Sequence, residues 1–342
     1  MLKIFTTLII TLSICVGSVW AGDVEDADAA LLKKDYVTAL KKYKSAAVKN
    51  DAYAQTQIGR FYFFEGFGVK QDYKEAMRWY KMAAAQGDAS AQYALGVMYD
   101  NGQGVIQDYA EAASWYKLSA AQGIASAQVN LGFMYENGQG VVQDSAEAVR
   151  LYKLAAAQGI ASAQYNLGVM YNNGQGVLQD YAEAVRLYTL AATQGYARAL
   201  YNLGVKYERG QGVVQDSSEA VRLYKLAAAQ GIASAQYNLG VMYAQGQGVL
   251  QDYAEAVRWY KLSAAQGDAR AQVNLGFMYE NGQGVLQNNV PAHMWFNIAA
   301  VKGDKEAVRK RYFLANKMTA EQIEQAQRLA KECQARNYKN CD

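Results

Sequence analysis

The residues of this 342-residue chain that could bear chemistry are one histidine, three cysteines and an evenly spaced series of aspartates. The aspartates recur every 36 residues, at Asp72, Asp108, Asp144, Asp180, Asp216 and Asp252. A ladder of metal ligands is one interpretation, but each aspartate directly precedes a helical segment, where its carboxylate can cap free backbone N–H groups. The cap explains all six positions at once. His293 falls in a column of apolar residues, which favours a packed structural histidine over a catalytic one.

Motifs for catalysis or cofactor binding are missing from the sequence. It contains no G-x-S-x-G, H-E-x-x-H, Walker A or C-x-x-C string. The recurring G-x-G turns lack the spacing of a dinucleotide fingerprint, and they follow helical segments rather than strands. We therefore expect no enzyme activity, no metal and no cofactor.

The composition is typical of a folded chain with a small net charge. Hydrophobic residues make up 51% of it, too many for a disordered chain, and the single proline disfavours an all-β fold. Lysine and arginine number 34 against 31 acidic residues, a formal charge of +3. This lacks the basic excess of a nucleic-acid-binding surface, so we expect no nucleic-acid partner.

The organisation of the chain is a repeat of 36 residues. One string of 25 residues, EAVRLYKLAAAQGIASAQYNLGVMY, occurs from Glu147 and again from Glu219. Glycines keep the same interval at Gly87, Gly123, Gly159, Gly195, Gly231, Gly267 and Gly303. Self-similarity at such a period is typical of stacked repeats, in which no unit buries its apolar face alone.

Each unit has the pattern of two helices. Ala76, Tyr80, Ala83 and Ala84 form the apolar stripe of a first helix, and Gly87 follows it as a C-terminal cap should. A second segment ends at a glycine-rich turn and contains Gly96, whose cost in a helix indicates that a backbone or an aromatic ring packs against it. The tyrosine columns of Tyr80 and Tyr99 are the expected partners. The sequence predicts an all-α protein, a right-handed α/α solenoid of 36-residue helix-turn-helix repeats.

The N-terminus has the layout of a secretory signal peptide. Residues 1–21 carry an early Lys3, an apolar run and small residues before an expected cleavage after Ala21. An uncleaved anchor and a lipidated Cys15 are the weaker alternatives. We expect a periplasmic or secreted protein that keeps no membrane span after cleavage. In such a compartment Cys333 and Cys341 are a plausible disulfide that pins the tail.

The repeat resembles a known family. The pattern A-x-x-W/L-Y-x-x-A-A-x-x-G-x-x-x-A-x-x-x-L-G-x-x-Y-x-x-G-x-G-V-x-x-D, from about Asp35 to Gly303, is similar to the Sel-1-like repeat, a relative of tetratricopeptide repeats. The resemblance implies protein–protein interaction and no common enzymatic activity. We divide the chain into a signal peptide (1–21), a capping helix (22–34), an array of about seven units plus a partial last one (35–303), and C-terminal capping helices and tail (304–342).

A candidate partner-binding surface runs along the first helices. Its members form an arginine, a tryptophan and a lysine column, namely Arg78, Arg150, Arg186, Arg222 and Arg258, then Trp79, Trp115 and Trp259, and then Lys81, Lys117, Lys153, Lys225 and Lys261. By analogy with tetratricopeptide arrays these side chains line a groove that could hold an acidic or C-terminal peptide. The alternative is structural, because a glutamate lies three residues before each arginine and the tryptophan column could be core between units.

The leading functional hypothesis is an exported adaptor that binds a protein or peptide partner through the groove. An enzymatic alternative is a β-lactam-binding or hydrolysing protein, as described for cysteine-rich relatives, although this chain lacks their cysteine pair in each repeat. A third possibility is a structural spacer of the cell envelope.

Overall fold

The computed structural model describes residues 21–341, which fold as two compact units that meet in sequence at Gln143 and Asp144. The predicted signal peptide, apart from Ala21, and Cys15 lie outside the described residues. Every regular element in the described range is an α-helix. None of these helices is long and apolar enough to cross a membrane.

The helices of the first unit are α1 (Ala21–Leu32), α2 (Tyr36–Val48), α3 (Ala52–Phe63), α4 (Tyr73–Ala85), α5 (Ala89–Asn101), α6 (Tyr109–Ala121) and α7 (Ala125–Asn137). Those of the second are α8 (Ser145–Ala157), α9 (Ala161–Asn173), α10 (Tyr181–Thr193), α11 (Ala197–Arg209), α12 (Ser217–Ala229), α13 (Ala233–Gln245), α14 (Tyr253–Ala264), α15 (Ala269–Asn281), α16 (Asn289–Val301), α17 (Lys305–Ala315) and α18 (Ala320–Ala335).

Helices alternate between two roles within each unit. Each repeat contributes a first helix and a second helix, and the first helices are α4, α6, α8, α10, α12, α14 and α16. A first helix packs against the second helix of its own repeat, and that second helix packs against the first helix of the next repeat in the same compact unit. This confirms the predicted all-α architecture of stacked helix pairs.

The aspartate column caps the first helices. The Asp252 carboxylate accepts hydrogen bonds from the backbone N–H groups of Ala254 and Glu255 at 2.9 and 3.0 Å. The equivalent aspartates of α4, α6, α8 and α12 each accept from two N–H groups in the same way, and Asp180 of α10 accepts from Glu183 alone. A cap of this kind stabilises a helix by about 1 kcal/mol. The cap interpretation is confirmed at all six positions.

A tyrosine ring packs against the central glycine of most second helices. A Cβ atom on Gly96 would lie only 2.5 Å from Cδ1 of the Tyr116 ring, and one on Gly240 would lie 2.6 Å from Cδ1 of Tyr260. The prediction that an aromatic ring packs there is confirmed for the column of Tyr80, whose ring packs against Gly59. In the column of Tyr99 the rings face lysines of the preceding first helix, as Tyr99 faces Lys81.

The glycine-rich turns that follow α5, α7, α9, α11, α13 and α15 present an apolar residue to solvent. Gly102 ends α5 in the left-handed conformation, at φ 68°, as the glycine-rich turn predicts. Two residues after the second glycine of each turn stands an aliphatic side chain that is 86–91% exposed. We call these residues the loop column, which comprises Ile106 and Val142 in the first unit and Leu178, Val214, Leu250 and Leu286 in the second.

The C-terminal helices end the second unit differently from the repeats. Helix α17 packs against α16 as a second helix does. Thr319 and Gln322 form the predicted capping box at the start of α18, and α18 then packs back against α16. A disulfide joins Cys333 of α18 to Cys341 of the tail, with their Cα atoms 5.0 Å apart.

Candidate partner-binding site

The side of the first helices that faces solvent carries three columns of long side chains, and we call it the first-helix face. In the second unit these columns are the arginines Arg150, Arg186, Arg222 and Arg258, the lysines Lys153, Lys225 and Lys261, and the leucines Leu154, Leu190, Leu226 and Leu262. In the first unit the equivalent residues are Arg78, Lys81 and Met82 on α4, and Ser114, Lys117 and Leu118 on α6. The face therefore combines charge and apolar surface in each unit.

Every arginine of the column is paired within its own helix. Arg150 donates from Nη2 to Glu147 Oε1 at 2.6 Å and from Nε to Oε2 at 2.7 Å, a two-pronged bond that uses both carboxylate oxygens. The same i,i+3 pair recurs at Arg78, Arg186, Arg222 and Arg258. Exposed pairs of this kind contribute only about 0.2–0.5 kcal/mol each. Their larger effect is to neutralise the arginine column, as the structural alternative predicts.

The pairs of Arg78 with Glu75 and of Arg258 with Glu255 stay ionised at neutral pH. Hydrogen bonds from Arg258 hold the pKa of Glu255 below its ordinary value of 4.5, and Arg78 does the same for Glu75. The carboxylates in turn raise the pKa of Arg78 and Arg258. Neither member of such a pair is poised to exchange a proton, so these groups are suited to recognition rather than to acid–base chemistry.

The tryptophan column joins neighbouring repeats. Trp79 packs against the buried cluster of the preceding helices, which includes Tyr43 and Ile58. Trp115 packs against the next cluster in the first unit, and Trp259 against the one formed by helices α10–α13 in the second. The equivalent leucines, Leu151, Leu187 and Leu223, are buried. These contacts favour core packing over partner binding for this column.

The leucine column was missed by the sequence analysis. Leu154, Leu190, Leu226 and Leu262 are 39–44% exposed although they lie in the middle of well-packed helices. The sequence signal that could have found these leucines is an apolar residue at a helical position outside the buried stripe, which on α4 contains Ala76, Tyr80 and Ala83. Contiguous exposed apolar surface marks interaction sites, and these leucines recur at equivalent positions on neighbouring first helices.

The lysine column keeps a positive charge beside the leucines. The ammonium groups of Lys153 and Lys225 lie 5.6 and 5.5 Å from the ring centres of Tyr171 and Tyr243, so the tyrosine faces orient them. Thr189 interrupts the column on α10. Because the arginines are neutralised, the lysines are the remaining feature of this face that could attract an acidic partner.

A buried lysine distinguishes α11 from the other second helices. Lys206 occupies a column held elsewhere by methionine and is only 5% exposed. Its ammonium group donates to Gln211 Oε1 at 2.9 Å and lies 4.2 Å from the ring centre of Tyr181. Burial lowers the pKa of Lys206, with a further contribution from Arg209. The contacts with Gln211 and Tyr181 satisfy the ammonium group, so Lys206 has a structural role between the packed helices.

The candidate catalytic residues do not assemble a centre. His293 is 2% exposed, and its pKa is lowered by burial and by nearby Arg311. Among residues 21–341 no three side chains of histidine, cysteine, aspartate or glutamate come together as metal ligands would.

Comparison with known proteins identifies the repeat. Seven consecutive Sel1 repeats are recognised across residues 52–304. A Sel1 repeat protein of Oxalobacter formigenes is 36% identical, with a TM-score of 0.61 over 66% of this chain and 91% of that one. A protective antigen of uropathogenic Escherichia coli is 29% identical, with a TM-score of 0.47 over 93% of this chain and 85% of that one. An immunity protein of Pseudomonas aeruginosa is 21% identical, with a TM-score of 0.39 over 62% and 81%. No curated protein sequence matches significantly.

The fold and the repeat define a helical-repeat protein of the interaction class. The chain belongs to the Sel1 repeat family. Proteins built from these repeats generally mediate protein–protein interaction and are typically non-catalytic scaffolds.

Proposed function

We propose that this protein is an exported adaptor that binds a protein partner through the first-helix face and catalyses no reaction. The observation that carries the proposal is the exposed leucine column of the second unit, where Leu154, Leu190, Leu226 and Leu262 recur between charged columns. Solvent contact at these positions is unfavourable, and covering them with a partner would remove about 1–2 kcal/mol of that cost for each leucine.

The charges around the leucines support a protein partner over a small anion. Each arginine is already bound to a glutamate of its own helix, so an incoming carboxylate would have to displace that bond. A partner that covers the leucines and places acidic groups near Lys153 and Lys225 meets no such competition. This revises the initial hypothesis, which assigned the main role to the arginines and tryptophans.

Export is supported by two separate features. Residues 1–21 have the layout of a signal peptide, and a disulfide joins Cys333 to Cys341. Disulfides persist in oxidising compartments and are rare in the cytosol of most organisms. N-terminal sequencing of the protein recovered from periplasmic and culture fractions tests this part. Gly22 at the start of the exported form supports export, and an intact Met1 in the cytosol contradicts it.

Affinity capture tests the binding face. Residues 22–342 serve as bait in an envelope extract, beside a variant with glutamine at Leu154, Leu190, Leu226 and Leu262. The matched control has glutamine at Leu178, Val214, Leu250 and Leu286 of the loop column, which are also exposed and aliphatic. Circular dichroism first confirms that all three baits fold. We expect a partner that the first variant loses and the control keeps; a partner kept by both would contradict the assignment of the face.

A further inference from the structure

Helix α16 is the final first helix of the second unit, and on it the first-helix face is covered. Met294 and Ile298 of α16 stand at the positions held on α14 by Arg258 and Leu262. On α14 both residues are exposed, whereas Met294 is 1% and Ile298 0% exposed. The same face of the repeat is therefore open on α14 and closed on α16.

Helix α18 closes it. Met294 and Ile298 share one buried cluster with Ala330 and Cys333 of α18, and Leu329 packs against the same cluster. Ala326 is also buried, so the side of α18 that faces inward has apolar residues at i, i+3, i+4 and i+7. The chain covers its own first-helix face with an amphipathic helix whose apolar stripe is made of small and medium side chains.

The open faces of the same unit have the parts needed for a similar contact. On α8, α10, α12 and α14 a leucine stands where α16 has Ile298. The arginine that stands in place of Met294 already binds a glutamate of its own helix through Nε and Nη2, so a covering helix need not supply the carboxylate that pairs its charge. Lys153 and Lys225 lie beside the leucines and favour acidic residues on the flank of an incoming helix.

We propose that the partner of the first-helix face is an amphipathic α-helix of another protein, with a stripe of alanine and leucine and with acidic residues on one flank. This inference rests on the proposed function and specifies its partner. Helix α18 occupies the first-helix face on α16, and the exposed leucines continue that face on α8, α10, α12 and α14.

The test is a selection from two displayed peptide libraries against residues 22–342. Each member of the first library has 18 residues, keeps the apolar spacing of α18 with alanine or leucine, and varies elsewhere. The second library is identical except for two central prolines, which prevent a continuous helix. We expect binders from the helical library, with acidic residues enriched on one flank.

Binding is then measured by fluorescence anisotropy with the two glutamine variants. Glutamine at Leu154, Leu190, Leu226 and Leu262 should weaken the selected helices at least tenfold, and glutamine in the loop column should change binding less than twofold. Binders from the proline library alone, equal losses in both variants, or no binders at all would each overturn the helix proposal. The capture experiment remains independent: a natural partner lost with the leucine variant supports the adaptor function even when the helix proposal fails.

Discussion

The glycine inside most second helices is required by a neighbouring ring rather than by its backbone conformation. Gly240 is helical, and it is the Tyr260 ring of the next first helix that occupies the space of a Cβ atom. Alanine would be the better helix former by about 1 kcal/mol, so close approach of the ring must outweigh that preference. Single residues of this kind set the spacing between repeats.

Gly240→Ala should lower the thermal midpoint of unfolding. The new Cβ would lie 2.6 Å from the Tyr260 ring and 3.2 Å from the Ala256 carbonyl oxygen. Overpacking costs about 1–3 kcal/mol, more than the roughly 1 kcal/mol that alanine gains in helix propensity. Circular dichroism melts measure the effect. The same substitution in a Tyr260→Leu background should cost less, and an unchanged midpoint for the single variant would contradict the ring contact.

His293 should make the fold sensitive to mild acid. Burial and Arg311 lower its pKa below the ordinary value of 6.5, so the folded chain resists a proton that the unfolded chain accepts. The unfolded state then binds more protons, and the free energy of unfolding falls as the pH drops below about 6.5. His293→Val introduces the residue that stands at Val257 in the same column. In this variant the thermal midpoint of unfolding should change less between pH 7.5 and 5.5 than in the original chain. An equally steep dependence in the variant would show that other groups cause it.

At the scale of elements, the sequence predicted the helices well and their final docking poorly. Equal spacing of caps, stripes and turns predicts the helix pairs, because each signal is local and recurs in every unit. The docking of α18 against α16 depends on Met294, which replaces the arginine of the repeat, and on Ile298, which replaces its leucine. A helical periodicity shows which side of α18 is buried, but it does not show which neighbour buries it. The exposure of Leu154 likewise depends on what surrounds it in space.

The disulfide should hold the end of α18 against α16. Cys341→Ser opens a short loop, which removes roughly 2–3 kcal/mol of stabilisation in the chain-entropy description. Cys333 stays in place in this variant because it is buried in the cluster with Met294. Hydrogen–deuterium exchange should rise over residues 326–341 and stay unchanged in α8–α12. Uniform acceleration across the second unit would instead show that the disulfide supports the whole stack.

At the scale of the molecule, the described chain is stabilised by contacts between neighbours in sequence. Each first helix packs against the second helices before and after it in the same unit, and few contacts join distant segments. Stability in such arrays is approximately a sum over repeats and the interfaces between them. The repeat pattern made this organisation predictable, because a period of 36 residues that contains two helical segments is typical of stacked helix pairs.

Removal of one period should therefore leave a folded protein. Deletion of residues 180–215 joins Gln179 to Asp216, which restores the junction of a turn and a capping aspartate. We expect an unchanged ellipticity per residue and a modest loss in the thermal midpoint. The control deletes residues 180–197, half a period, and should lose helicity or aggregate because the helix order is broken. Equal behaviour of the two deletions would contradict a modular stack.

The pairing of each arginine with a glutamate of its own helix also has a consequence for how the gene can change. The segments 144–179 and 216–251 each contain two acidic and two basic residues, so either is electrically neutral as a whole. Unequal recombination that adds or loses such a segment changes the length of the protein by one period and leaves its net charge the same. The array can lengthen or shorten over generations without a change in solubility imposed by charge.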